Sequence, residues 1–265
     1  MLSLLQLGTL DYSAGLRLQE KLVALRKDGR IGDVVLLLEH TPVITLGRNA
    51  KAKNILASPE LLAQRGVEVS ECDRGGDVTF HGPGQLVAYP IFDLHGFPSD
   101  NPARKSLGVV EYVRRLEEVL IRTCTDFKIS SKRIAGLTGV WTGGDARPPT
   151  ISNESKIAAL GVHISRGVTS HGIALNVNTD LSFFNLIIPC GIESKPVTSM
   201  QKELNREISM QEVAHSLSRN FGSVFASQIL WGENLEALLG TTLGVPLKPP
   251  ENLRRLRGED DPAWA

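Results

Sequence analysis

The sequence predicts a mixed α/β or α+β domain, on two observations. Amphipathic helical segments alternate with short runs of β-branched and aliphatic residues, a pattern that suits neither a helical bundle nor a sandwich. At 265 residues, with 42% apolar and 22% charged residues, the chain can also bury a full core. No repeat or linker-like stretch divides it.

The elements follow in order. Tyr12 to Asp28 reads as an amphipathic helix carrying Leu16, Leu22, Val23 and Leu25 near a 3.6 period. The apolar run Asp33 to Glu39 suits a central strand, and Val43 to Leu46 follows across Thr41-Pro42. Ser58 to Gln64 is a short helix with Pro59 in its first turn. Val67 to Ser70 then leads as a strand into a glycine-rich stretch, and Val87 to Ile91 leaves it as another. The longest helix candidate is Ser106 to Phe127, with Val109, Val110, Val113, Leu116, Val119, Leu120 and Cys124 on its inner side. After Gly139 to Thr142 and a polar insert from Gly143 to Glu154, Lys156 to Ile164 and Val168 to Val177 form a hairpin through Arg166-Gly167. Ser209-Met210-Gln211-Glu212 is a capping box opening a helix to about Ala226, and a loose tail is expected beyond Leu247.

Zero formal net charge argues against nucleic acid or a membrane surface as partner, and no apolar run approaches the ~20 residues of a membrane helix. Met1 to Gly8 lacks the basic leader of a signal peptide. Three widely spaced cysteines fit a reducing compartment, so a cytoplasmic protein is expected.

Arg74 to Leu86 places four glycines, a proline and a histidine in thirteen residues. Such density predicts a loop wrapping a ligand, with Thr79, His81 and Gln85 aimed inward. Cys190 sits in a Pro-Cys-Gly turn that gives a thiol little to pack against, whereas Cys124 suits a helix interior and Cys72 ends a strand. A nucleophilic thiol needs a group that favours its thiolate, for which Lys156, His81, His163 and His171 are candidates. Read by pattern alone, Lys156 is a strand-end lysine in water. The spacing of His163, His171 and the cysteines matches no structural zinc site, and no metal is expected. There is no Gly-x-Ser-x-Gly elbow, no Walker A lysine-serine pair and no dinucleotide fingerprint. The basic residues Arg104, Lys105, Arg114, Arg115, Lys128, Lys132 and Arg133 read as a solvated face, although an acidic partner protein could use them.

Taken together, Arg74-Gly75-Gly76-x-x-Thr79-Phe80-His81-Gly82-Pro83-Gly84-Gln85, Lys156 to Gly161, Ser170 to Asn176 and Pro189-Cys190-Gly191 closely resemble the lipoyl(octanoyl) transferase family, over roughly Leu4 to Ala226. The resemblance implies a central mixed β-sheet flanked by helices, as in biotin and lipoate protein ligases. It implies one catalytic domain over 1–230 and an extension over 231–265. The implied activity moves octanoyl from acyl carrier protein to a lysine of lipoyl domains, those of 2-oxoacid dehydrogenase E2 subunits and of glycine cleavage H protein, with no cofactor. Cys190 matches the acyl-thioester nucleophile and Lys156 the lysine that lowers its pKa. Arg74, Gly75, Gly76, Asp77, Val78, Thr79, Phe80 and His81, with Ala159, Leu160, Gly161, Gly172, Ile173 and Ala174, match the substrate-binding segments, and His171 supports them. Chemistry agrees: a thioester is already activated, so no ATP is needed. Lys156 acts as a nearby ammonium or as a base, and the sequence leaves both open. Loop amides are expected to face the oxyanion, His81 the reacting carbonyl, and Ala158, Ala159, Gly172 and Ala174 to leave a narrow apolar slot. The insert from Gly143 to Ser155 looks longer than is usual in the family.

Overall fold

A computed structural model describes residues 1–143, 154–189 and 195–232. Among these the chain runs β1 (Leu2–Leu10), α1 (Tyr12–Lys27), β2 (Asp33–His40), β3 (Val43–Leu46), α2 (Pro59–Gln64), β4 (Glu68–Glu71), β5 (Val78–His81) and β6 (Gln85–Ile91). It continues through α3 (Val109–Asp126), β7 (Ser131–Ile134), β8 (Leu137–Thr142), β9 (Ser155–Ser165), β10 (Val168–Asn176), α4 (Met200–Leu204), α5 (Met210–Val224) and β11 (Ile229–Trp231).

Eight strands form one mixed sheet in the order β11-β1-β2-β6-β10-β9-β8-β7, and β4-β3-β5 form a smaller second sheet. Strand β1 is parallel to both β11 and β2, and the rest of the large sheet is antiparallel. In β2 the period-2 rule sorts a continuous apolar run into two cores: Val35 and Leu37 pack toward α3 and α5, while Val34, Leu36 and Leu38 pack toward α1. Both faces of the sheet are thus covered, as the mixed architecture requires.

Capping follows the expected chemistry. The Asp11 side chain accepts from Ala14 N, Ser58 from Leu61 N and Ser209 from Glu212 N. Helix α3 starts three residues later than the pattern predicts, because Gly108 is its N-cap; Val109 and Val110 are therefore exposed rather than on the inner side. On α1 the buried line runs through Gly15, Leu18 and Leu22, with Leu16, Val23 and Leu25 only half-buried. Residues 144–153, Cys190, and the chain beyond Gly232, including the expected loose tail, lie outside the described residues.

Candidate active site

A slot of about 470 Å³, counting its open mouth, lies between the two sheets. Its floor is β6, β10 and β9. Register sets Ala159 opposite Ala174 and Gly161 opposite Gly172, with Val87 flanking Ala174. Alternation turns Ala159, Gly161 and Ala174 to this face, so the floor carries almost no side-chain bulk. Ala158 belongs to the opposite, α3–α5 core and takes no part in the slot. Leu160 and Ile173 border the slot but pack against that same core. Gly172 is glycine for a strand reason, since a Cβ there would lie 2.2 Å from Ala88 O of β6.

The roof is β5 and the loop before it. The stretch read as one continuous loop ends in a strand, and alternation divides its residues. Thr79 and His81 face the slot, while Val78 and Phe80 enter a third core, where Phe80 stacks on Phe183 at 4.7 Å between ring centroids. Within the loop, Arg74 folds back and donates to Thr45 Oγ1, Thr45 O, Gly75 O and Asp77 O at 2.7–3.2 Å. All those acceptors are neutral. Glycine at 47 and 161 makes room for this side chain, since a Cβ at Gly47 would lie 2.8 Å from Arg74 Nη1 and one at Gly161 3.1 Å from its Cδ. Gly47 and Gly161 therefore admit a protein side chain. Asp77 borders the slot with Gly76, but its carboxylate accepts from Asn54 Nδ2, Lys51 N and Val78 N. The amide of Gly75 is engaged by Val162 O at 3.0 Å and that of Gly84 by Glu39 Oε2 at 2.7 Å, so neither of these loop donors is open to an oxyanion.

Aromatic rings close the slot beside α1. Tyr12 stacks parallel to His81 at 6.3 Å and meets His40 edge-on at 5.2 Å, and Tyr89 lies 5.8 Å from His40. Hydrogen bonding fixes both histidines. Gln85 Nε2 donates to Phe80 O and Asn176 Oδ1, which leaves its Oε1 to accept from His81 Nδ1 at 2.6 Å. His40 Nδ1 donates to Leu10 O, and its Nε2 accepts from the Tyr89 hydroxyl at 2.7 Å. Burial pushes His81 down to about 3 and His40 to about 4, so both are neutral near pH 7. Sequence pattern alone does not mark Tyr12 or Tyr89 as site residues. Tyr89 was within reach, two residues past Val87 on the same face, whereas Tyr12 reaches the slot only through the packing of α1 on the sheet.

The slot shares Thr79, Ala159 and Ala174 with a smaller cavity lined also by Lys156, Gln85, Asn176, Phe184, Pro189 and Val197. Lys156 is not in water. It is 7% exposed, and its Nζ stands 4.8 Å from the centre of the Trp141 ring. Gly139, at φ +132°, clears its path, since a Cβ there would lie 3.0 Å from Lys156 Cε. The Lys156 backbone is anchored on both sides, donating to Pro196 O and accepting from Thr198 N. Pro189, the covalent neighbour of Cys190, lines this same cavity. Cys124 is buried in the α3 core with its thiol pushed up to about 12, as suits a packing residue. His171 borders the slot, and His163 joins it on Asp73: the distances from Nε2 to carboxylate oxygen are 2.7 Å and 3.4 Å.

The model of the lipoyl protein ligase A/B catalytic domain matches residues 11–222. An octanoyltransferase of Koribacter versatilis is 59% identical over 98% of this chain and 98% of its own length. One from Acidobacterium capsulatum is 57% identical over 90% and 96%. Among solved structures, a bipartite lipoate protein ligase of Thermoplasma acidophilum, studied with its E2 lipoyl domain, superposes with a TM-score of 0.66 at 16% identity, covering 90% of this chain and 89% of that one. A lipoate-protein ligase A bound with ATP gives 0.66 at 15%, covering 91% and 92%. At such identities these two show the shared fold. The sequence relatives carry more: the chain belongs to the lipoyl protein ligase A/B catalytic-domain family and, within it, to the octanoyltransferases, acyltransferases of protein lipoylation.

Proposed function

We propose that this enzyme moves an octanoyl group from acyl carrier protein to a lipoyl-domain lysine through a thioester on Cys190. One observation carries the reading: the small-residue slot adjoins, across Thr79, Ala159 and Ala174, a cavity lined by buried Lys156 and by Pro189, next to Cys190. The Cys190 thiolate attacks the donor carbonyl, the bond to the carrier sulfur breaks, and the carrier leaves as a thiol with a proton given by the Lys156 ammonium, which is thereby neutral for the next step. The acceptor amine then attacks the Cys190 thioester; the C–N bond forms, the C–S bond breaks, and the amine proton passes to Lys156. His81, with its Nε2 an acceptor in the tautomer fixed by Gln85, faces the acyl carbonyl end near Thr79. Acceptors are the lipoyl domains of 2-oxoacid dehydrogenase E2 subunits and glycine cleavage H protein. A reduced thiol at Cys190 fits the cytoplasm. We assign catalysis to residues 1–230, the span that includes the slot and most of the sheet.

The test is intact mass after incubation with octanoyl-acyl carrier protein. One octanoyl adduct is expected, labile to hydroxylamine and absent in Cys190→Ala. Transfer by Cys190→Ala at the wild-type rate would overturn the mechanism.

A further inference from the structure

The far end of the slot is closed by backbone. At Gly161 the roof comes down onto the floor: Gly75 N donates to Val162 O at 3.0 Å, and a Cβ on Gly161 would lie 2.7 Å from Gly75 O. From Lys156 to Gly161, β9 advances five residues, at most about 16 Å at strand rise, because the pairing with β8 slips between Lys156 and Ala158. An extended eight-carbon acyl chain takes roughly 9 Å of that, given single bonds of about 1.5 Å in a zigzag. The side chains that meet its thioester take the rest. Four more carbons add roughly 5 Å and would run past the point where Gly75 sits.

Besides the Arg74 hydrogen bonds, a second anchor holds this loop down, and it starts from the backbone outlier of β10. His171 has φ +55°, a left-handed conformation rare for a residue with a side chain, in the middle of a strand. The register that pairs Ile173 with Ala88 sets His171 across from Pro90 of β6, which has no N–H to give. The ladder breaks there. His171 N donates instead to Gln19 Oε1 at 2.7 Å, and Pro90 O accepts from Thr169 Oγ1 at 2.7 Å. The freed ring donates to Asp73 Oδ1, one residue before Arg74 and two before Gly75. Strain of this kind persists where the surroundings enforce it.

We propose that the Asp73–His171 pair is a length stop for the acyl chain. It pins Gly75 on Gly161, so a chain much longer than octanoyl must lift the loop and break the pair. The inference rests on the acyl-transfer reading above for the identity of the ligand.

The test measures binding of S-octyl- and S-dodecyl-pantetheine, thioethers that cannot acylate Cys190, to the full-length protein by calorimetry. Wild type is expected to prefer the octyl compound by about tenfold or more, the cost of overpacking a formed pocket. Asp73→Ala shrinks that ratio toward one, whereas Asp73→Asn, whose carbonyl still accepts from His171, keeps it. His171→Gly serves as a second variant, because glycine tolerates φ +55° and the fold survives loss of the ring; it too is expected to lose the preference. An unchanged ratio in both Asp73→Ala and His171→Gly, or no preference in wild type, overturns the proposal. Absence of the Cys190 adduct with the preference intact overturns the reaction scheme and leaves the length stop standing.

Discussion

At the scale of single residues, Lys156 and the slot histidines illustrate two uses of burial. Lys156 is withdrawn from water beside an aromatic face, next to the segment that carries Cys190. Lys156→Met is expected to keep the fold and to lower transfer by about 10²–10⁴-fold, the usual worth of a positioned acid–base group. Single-turnover assays that follow acylation and transfer separately check this. His40 and His81 are buried neutral, with folded pKa values of about 4 and 3, below the roughly 6.5 of an unfolded chain. Above that value neither state binds a proton, and the stability is fully present. As pH falls below it, only the unfolded chain protonates, so stability drops by about 1.4 kcal/mol per pH unit per histidine until the folded values are reached. Urea midpoints between pH 7 and 4.5 should show the slope, and His40→Gln should flatten it by about one proton. An unaltered slope in that variant would contradict the assignment. Lys156, the Ala159–Gly161 segment and Arg74 stood out in the sequence because they fall in ordered motifs. Asp73 did not, since its partner His171 lies 98 residues away and meets it only through a broken strand ladder.

At the scale of elements, what could be read was set by local signals. Strand β3 and hairpin β9–β10 appear within a residue or two of expectation, because apolar alternation and a glycine turn mark them. Strand β1 carries no local signal: Leu2, Leu4 and Leu5 are buried, but the strand is defined by parallel partners at 33–40 and 229–231, which no local pattern reveals. Strand β5 was hidden by the glycines on either side of it. The expected inner face of α3 extended too far toward its N-terminus, and this gives a direct check. Val110→Lys should change stability by no more than about 0.5 kcal/mol, while Leu116→Ala, fully buried, should cost about 2–5 kcal/mol. Thermal melts of the two variants would separate them by many degrees.

At the scale of the whole molecule, the slot exists only where the two sheets meet, with roof residues from 74–81 and floor residues from 159–174. No helix among the described residues is long and apolar enough to cross a membrane. Binding of a thioether analogue should therefore slow amide exchange in 74–79 and 159–161 and leave α3 and α5 unaffected, as mass-detected hydrogen exchange would show. Octanoyl transfer should also proceed undiminished when ATP is removed by apyrase; strict dependence on ATP would point instead to a ligase. The ladder break at Pro90 and His171 carries a consequence for how such a pocket can change over generations. Its reach is recorded in main-chain geometry at scattered positions, not in the size of a replaceable side chain. Trimming Val87, Leu160 or Ile173 leaves that geometry where it is. Drift toward longer substrates then begins with the Asp73–His171 hydrogen bond, so one mutation at either position widens the substrate range and removes a partly buried contact in the same step.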